Sequence, residues 1–233
     1  MDDLRKATVL VIGAHSGIGQ EIFEMLANMG VTAIGPDRGI LDVTDDAPEI
    51  KWGIKDDSIT HLVYSAGINE LCWIEDIENP DGDKPGDFAH LLDVNVIGFA
   101  KVLSVLVRSH PIRSVVAISS DAATRPMRGS LMYCASKAAL DASVRCAARE
   151  LAPKVRVNAI APGMTEGTLM QEYIDKTVPE FRGWDIEHAR AYENSQNPMG
   201  RRATKEEIAQ VTIDVLFGPE YLTGSIVTVN GGR

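Results

Sequence analysis

The chain of 233 residues is long enough for one substantial core and short for two, so we expect a single domain spanning residues 1–233. Its 33 acidic and 23 basic residues give a formal net charge of -10, which disfavours nucleic acid or an anionic membrane surface as a partner. Three cysteines without a C-x-x-C pair disfavour a disulfide framework or a metal site, and they favour a reducing compartment.

The N-terminus indicates a soluble, cytoplasmic protein. The charged segment Met1–Lys6 runs directly into a predicted strand, without the apolar stretch and small-residue cleavage site of a signal peptide. By this reading no apolar run approaches the roughly 20 residues that a membrane-spanning helix needs. We therefore expect no contact with a membrane.

The first predicted unit is a strand, a glycine loop and a helix. An apolar run rich in β-branched residues, Ala7–Ile12, precedes Gly13, Gly17 and Gly19, and a helical pattern follows. In such a unit the glycines let the backbone approach a pyrophosphate, which lies at the helix N-terminus. The predicted cofactor-binding residues of this loop are Gly13, His15, Ser16, Gly17, Ile18 and Gly19. His15 either touches the adenosine phosphate edge or is an exposed loop histidine without a role.

The second predicted strand, Val31–Gly35, leads to Asp37 and Arg38. An acid at this position can accept hydrogen bonds from both hydroxyls of an adenosine ribose and repels a 2′-phosphate, so NAD(H) is preferred over NADP(H). NADP(H) is not excluded, because the guanidinium of Arg38 can pair with a 2′-phosphate.

The segment from Ser120 to Lys137 contains the predicted catalytic groups. A buried strand, Val115–Ile118, ends just before Ser120, and a predicted helix carries Tyr133 and Lys137 four positions apart, on one face. A phenol has a pKa of about 10, and a cation within about 4–6 Å stabilises the phenolate. Taken alone, the pair is weak evidence, because a surface lysine beside a half-buried tyrosine is the more frequent case.

Ser120, Tyr133 and Lys137 resemble the Ser and Tyr-x-x-x-Lys signature of the short-chain dehydrogenase/reductase family, including the interval of twelve residues between Ser and Tyr. The glycine spacing, Gly-x-x-x-Gly-x-Gly, is also similar to that family. The resemblance implies an α/β, Rossmann-like, doubly wound parallel sheet of about seven strands flanked by helices. One departure is Ile12, where the family usually has Thr.

Further residues are assigned through the resemblance. Asp42 and Val43 resemble the pair that contacts adenine, and the helix that usually lies between the second and third strands is missing, as in the shorter members. Tyr64, Ser65, Ala66 and Gly67 stand in the place of the family's Asn-Asn-Ala-Gly, with Tyr64 and Ser65 replacing the two asparagines. Ser65, Ala66 and Gly67 are the implied cofactor contacts. The remaining implied residues are Asn95, which holds a water in a proton relay, and the nicotinamide contacts Pro162, Gly163, Met164 and Thr165.

Two polar segments are predicted to be irregular. Residues 75–86, with several acids and prolines, form a loop. Residues 164–199 scatter aromatic side chains among charges without a clear period, and we expect a lid over the substrate or, alternatively, an oligomer contact.

Together these features predict an NAD(P)(H)-dependent oxidoreductase that transfers hydride between nicotinamide and a secondary alcohol or ketone. In this prediction Tyr133 is the acid/base, Lys137 lowers its pKa and binds ribose, Ser120 polarises the carbonyl and Asn95 completes the relay. The resemblance also implies a homo-oligomer, a tetramer or a dimer. The alternatives are a catalytically silent dinucleotide-binding regulatory or scaffold protein, and an enoyl reductase, which normally has six residues between Tyr and Lys.

Overall fold

A six-stranded parallel sheet forms the centre of the protein. The structure is a computed structural model that describes residues 6–39, 41–45, 59–77 and 87–233. The strand order is β2-β1-β3-β4-β5-β6, and the strands are β1 (Thr8–Ile12), β2 (Thr32–Ile34), β3 (His61–Tyr64), β4 (Ser114–Ile118), β5 (Arg156–Pro162) and β6 (Ile226–Val229). The predicted α/β architecture is confirmed, with one strand fewer among the described residues than the seven expected.

Helices cover both faces of the sheet. They are α1 (Gly17–Asn28), α2 (Phe88–Leu92), α3 (Gly98–Ser109), α4 (Leu131–Leu151), α5 (Leu169–Arg182), α6 (Ile186–Ser195) and α7 (Lys205–Leu216). Val9 and Val11 of β1 pack on the side of α1 and α7, whereas Leu10 and Ile12 pack on the side of α3 and α4. Alternate side chains of a strand point to opposite faces, so a strand buried on both faces must be apolar throughout.

One continuous helical stretch, residues 88–109, is long and apolar enough to cross a membrane by length and composition alone. It consists of α2, a π-helical turn (Asp93–Ile97) and α3. This corrects the expectation that no apolar run approaches that length. Nearly half of the stretch is buried inside the protein, where Phe99, Val102 and Leu106 belong to the core, so its apolar composition is explained by packing on the sheet.

The connection from β2 to β3 is only partly described. Residues 35–39 and 41–45 contain no helix. Residues 40 and 46–58 are outside the described part of the chain. The predicted loop 75–86 begins with a 3₁₀ turn, Ile74–Asp76, and residues 78–86 are likewise outside it.

The predicted lid, residues 164–199, contains two helices rather than irregular chain. Thr168 caps α5 by accepting a hydrogen bond from the Gln171 amide, and Asp185 caps α6 in the same way from His188. Gly183, with φ of 67°, separates the helices. Pro179 is the one fully buried residue of α5, and α6 has none. The weak apolar periodicity therefore has a physical reason, because these helices are held by caps and ion pairs more than by an apolar face.

Candidate active site

The glycine loop between β1 and α1 has the shape that a phosphate cradle requires. Gly13 and Gly17 have φ of 83° and 56°, values that L side chains rarely adopt. A Cβ on Gly19 would lie 2.2 Å from the Gly13 carbonyl oxygen, and one on Gly13 would lie 2.9 Å from the Ala66 amide nitrogen. His15 and Ser16 are exposed at the N-terminus of α1. The loop residues therefore fit a dinucleotide pyrophosphate, which would lie at this helix terminus.

Thr168 forms the opposite edge of this cradle. A Cβ on Gly17 would lie 3.4 Å from the Thr168 methyl group, and the Thr168 hydroxyl donates to the Thr165 carbonyl over 3.3 Å. The predicted residue, Thr165, is buried, and its hydroxyl donates to the Gly163 carbonyl over 3.2 Å. The sequence predicted Thr165 for this contact, whereas Thr168 is the threonine whose side chain lies next to Gly17.

The predicted adenosine residues lie after β2. Asp37 and Arg38 are both exposed. Asp42 accepts hydrogen bonds from the Thr44 amide and hydroxyl, over 2.9 and 2.7 Å, and these hold the pKa of its carboxyl below the usual value. Val43 is buried in the core. The turn is thus rigid where an adenine ring would contact it.

Tyr64, which stands where the family has an asparagine, makes its own hydrogen bond to the neighbouring helical segment. The phenol is fully buried and donates to the Val94 carbonyl over 2.6 Å, joining β3 to the π-helical turn. Burial raises the pKa of this phenol, so it stays protonated. The following Ser65 amide donates to the Ile12 carbonyl over 2.9 Å, which keeps Ala66 and Gly67 beside the glycine loop.

Tyr133 and Lys137 are buried side by side on α4. Their exposed fractions are 5% and 3%, and the Lys137 Nζ lies 5.8 Å from the centroid of the Tyr133 ring. Nζ donates to the Ile118 carbonyl, at the end of β4, over 3.0 Å. Burial lowers the pKa of Lys137 to about 8, against the opposing effect of Asp141. The amine is therefore directed into the protein and not to bulk solvent.

The pKa of the Tyr133 phenol lies above its ordinary value of 10. Burial raises its pKa to about 12, a hydrogen bond with Ser120 acts in the opposite direction, and the carboxylate of Asp121 adds to the rise. This net rise differs from the lowering expected from Lys137, because loss of solvation on burial raises the pKa of the phenol more than the hydrogen bond with Ser120 lowers it. Ser120 itself lies two residues after the end of β4, and its hydroxyl oxygen accepts from the Ala122 amide over 3.2 Å.

Asn95 is fully buried in the π-helical turn. Its side chain accepts from the Ile68 amide over 2.9 Å and donates to the Ile68 carbonyl over 3.0 Å and to the Ser136 hydroxyl over 2.9 Å. A Cβ on Gly67 would lie 3.4 Å from Asn95 Oδ1 and 3.1 Å from Lys137 Nζ. Asn95 thus ties the turn after β3 to α4, next to the lysine.

Asp141 belongs to the same cluster and was missed by sequence analysis. It lies one helical turn beyond Lys137, is buried, and accepts a hydrogen bond from the Ser119 hydroxyl over 2.5 Å. Burial raises the pKa of Asp141. The hydrogen bond from Ser119 and the nearby cations Arg145 and Lys137 act in the opposite direction. Its spacing of four residues from Lys137, which places both on one helix face, is the signal that could have identified it.

The predicted lid contacts Tyr133 and the segment after β3. The Leu71 amide donates to the Tyr173 hydroxyl over 3.1 Å, and the Trp73 and Phe181 rings stack with centroids 4.3 Å apart. Met170 of α5 contacts the Tyr133 hydroxyl. Helix α5 therefore covers the edge of the sheet where Ser120 and Tyr133 meet.

Arg202 fastens both lid helices. Its guanidinium pairs with Asp175 of α5, over 2.7 Å, and with Glu193 of α6, over 2.8 Å. Burial disfavours the charged guanidinium, but the hydrogen bonds to both carboxylates outweigh it and raise its pKa. Charge-assisted, two-pronged pairs of this kind orient their partners strongly.

Comparisons with known proteins find relatives along most of the chain. The family model described as enoyl-(acyl carrier protein) reductase matches residues 42–233. The short-chain reductase protein NovJ of Streptomyces niveus is 31% identical, over 98% of this chain and 94% of its own length. A solved short-chain dehydrogenase family protein from Francisella tularensis subsp. tularensis SCHU S4 is 26% identical, with a TM-score of 0.83 over 97% of this chain and 98% of its own.

A second solved structure, ElxO with NADP bound, has a TM-score of 0.79 at 22% identity, covers 97% of this chain and 98% of its own, and shows the same fold. The matched model covers most of the chain, from Asp42 through Ser120, Tyr133 and Lys137 to the segment after β6. The chain belongs to the short-chain dehydrogenase/reductase family, whose members are NAD(P)-dependent oxidoreductases.

Proposed function

We propose that this oxidoreductase interconverts a secondary alcohol and a ketone, with Tyr133 as the group that donates and accepts the proton at the substrate oxygen. The observation that carries the proposal is the burial of Tyr133 beside Lys137, with Ser120 within hydrogen-bonding reach of the phenol. In this arrangement Ser120 hydrogen-bonds the substrate oxygen and Lys137 stabilises negative charge on the phenol.

The residues of the protein prepare the proton transfer. A nicotinamide cofactor supplies or accepts the hydride when bound. Lys137 is available to a cofactor ribose, because its Nζ lies against the turn at Gly67. Asn95 holds that turn in place through Ile68, and we assign it the support of a water-mediated proton path. Pro162, Gly163 and Met164 would flank the nicotinamide at the end of β5.

The proposed cofactor preference is NAD(H). Asp37 stands where the ribose hydroxyls of adenosine would lie, and a carboxylate there disfavours a 2′-phosphate. The opposing argument is Arg38, and ElxO, a protein of the same fold, binds NADP. Comparison of dissociation constants for NADH and NADPH, from nicotinamide fluorescence, tests this preference, and tighter binding of NADPH would contradict it.

We further propose that residues 1–233 act as one cytoplasmic domain in a homotetramer or homodimer, with residues 164–199 as the substrate lid. The lid assignment is supported by the contacts of Met170 with Tyr133 and of Tyr173 with Leu71. Mass measurement in solution tests the oligomeric state.

A second candidate activity is the reduction of a carbon–carbon double bond, because the matched family model is described as an enoyl reductase. The Tyr-x-x-x-Lys spacing favours carbonyl chemistry instead. Assays with acetoacetyl and crotonyl thioesters distinguish the two, since only the first offers a ketone for reduction.

The Tyr133→Phe variant tests the proposal itself. Removing the hydroxyl while retaining the ring should lower kcat by about 100- to 10,000-fold, with cofactor affinity within about twofold. Turnover at the wild-type rate would exclude Tyr133 as the acid/base. Cofactor binding without turnover of any alcohol or ketone by the wild type would favour the regulatory or scaffold role.

A further inference from the structure

A cavity lies between the helices α5 and α6 and the body of the protein. The space outside the protein atoms there, including the open mouth, is about 730 Å³. Apolar side chains line much of it, among them Leu71, Ile174, Val178 and Phe181. Its roof is α5, the helix whose Met170 contacts the Tyr133 hydroxyl.

Positive side chains outnumber negative ones in the cavity lining, whereas the chain as a whole has a net negative charge. The protein has a formal charge of -10, yet the lining contains five arginines and two carboxylates. Both carboxylates, Asp175 and Glu193, are paired with Arg202, and Asp175 also with Arg190. Arg128 and Arg182 therefore remain as a local excess of positive charge, and the third remaining arginine, Arg233, also attracts the carboxylate of Asp121.

Two of these arginines are held by indole rings. The Arg128 guanidinium lies 5.5 Å from the centroid of Trp73, and that of Arg182 lies 5.1 Å from the centroid of Trp184. Neither has an ion pair among the described residues. Stacking of this kind restricts a guanidinium while leaving its N–H edge available to a planar or tetrahedral anion.

The third arginine has an unused donor. Arg233 lines the cavity, and its Nε is shielded from solvent without a hydrogen-bond partner in the described part of the chain. Its charge acts on Asp121, the neighbour of Ser120. Arg233 therefore connects the cavity with the end of β4 where the candidate catalytic groups lie.

From this arrangement we infer that the cavity binds an anionic end, carboxylate or phosphate, of a substrate whose apolar middle lies along the lid. The inference rests on the proposed function for its reacting end. The substrate class is a secondary alcohol or ketone joined by a short apolar chain to an anion, which Arg128, Arg182 and Arg233 receive.

Calorimetric titration of the cofactor-saturated protein tests the site independently of turnover, with octanoate, octyl phosphate and the neutral octanamide as probes. The two anions differ in size and geometry, and their ranking identifies which group the site prefers. We expect the preferred anion to bind at least about tenfold more tightly than octanamide. The Arg128→Gln, Arg182→Gln double variant should remove this preference, and Arg108→Gln, an exposed arginine at the end of α3, should retain it.

Equal affinity for the anions and the amide, including no measurable binding of any of them, would overturn the inference. The same titrations on Tyr133→Phe separate it from the proposed function, because binding there needs no proton transfer. In turnover, 7-oxooctanoate should have a kcat/KM at least about tenfold above that of 7-oxooctanamide. A preference in binding without one in kcat/KM would overturn the assignment of the site to the substrate.

Discussion

The hydroxyl of Tyr133 lies 3.6 Å from the thioether sulfur of Met170, so a side chain of α5 contacts the atom that we propose as the proton donor and acceptor. Helix α5 is therefore closed over the candidate catalytic groups. Under the proposed function, a substrate has to displace Met170 before it can hydrogen-bond the phenol.

The Met170→Leu variant should bind substrate more readily. Leucine retains most of the volume but offers no sulfur acceptor to the phenol, so the contact that substrate must break is lost. We expect KM to fall by about two- to fivefold with kcat little changed. The neighbouring, exposed Leu169 supplies the control Leu169→Met, which should leave both constants unaltered. A higher KM in Met170→Leu would show that Met170 helps to bind substrate.

The Gly19→Ala variant should lose cofactor affinity. The new Cβ would lie 2.2 Å from the Gly13 carbonyl oxygen, so the loop must shift away from the geometry that a pyrophosphate needs. We expect the dissociation constant for the cofactor to rise by about 10- to 100-fold. Gly30→Ala is the control, since nothing lies within 4 Å of its added Cβ and it is outside the loop; its φ of 76° is positive, unlike that of Gly19, so any backbone strain falls on the control. Equal cofactor affinity in Gly19→Ala and wild type would disprove the phosphate role of the loop.

The Arg202→Met variant should loosen the lid. It leaves Asp175 and Glu193, whose side chains are only 11% and 18% exposed, without their shared cation. Breaking such a buried pair costs about 3 kcal/mol, and we expect amides of α5 and α6 to exchange with solvent about 100-fold faster.

Arg201→Met is the control for this variant, because Arg201 pairs with Glu207 at the surface and should leave lid exchange unchanged. Similar exchange in both variants would mean that the Arg202 pairs do not hold the lid.

Lys137 should make stability depend on pH in a defined window. Its pKa is about 8 in the folded protein, against an ordinary value of 10.5. Between these values the unfolded chain binds more protons than the folded one, so the free energy of unfolding rises with pH. From pH 8 to 10 we expect wild type to gain about 2 kcal/mol relative to Lys137→Met, measured by urea unfolding.

The opposite shift of Tyr133, from 10 to about 12, lowers stability only above pH 10 and is common to both proteins. Lys154→Met, which removes an exposed lysine, should follow wild type. Parallel pH profiles for wild type and Lys137→Met would show that the buried amine does not titrate in this range.

The order of the motifs and the parallel α/β sheet were predictable from the sequence. The runs that became β1 and β4 are largely apolar and rich in β-branched residues, and the glycine loop and the Tyr133–Lys137 spacing are local patterns. Such patterns survive in the sequence because each depends on residues only a few positions apart.

The tertiary structure alone decided how these parts are joined. Asn95 binds Ile68 across 27 positions, and Leu71 meets Tyr173 across 102. The lid helices were missed because caps and the pairs with Arg202 hold them, not an apolar stripe. Burial of Tyr133 also reversed its expected pKa shift, because the loss of hydration of a charged group depends on everything that packs around it.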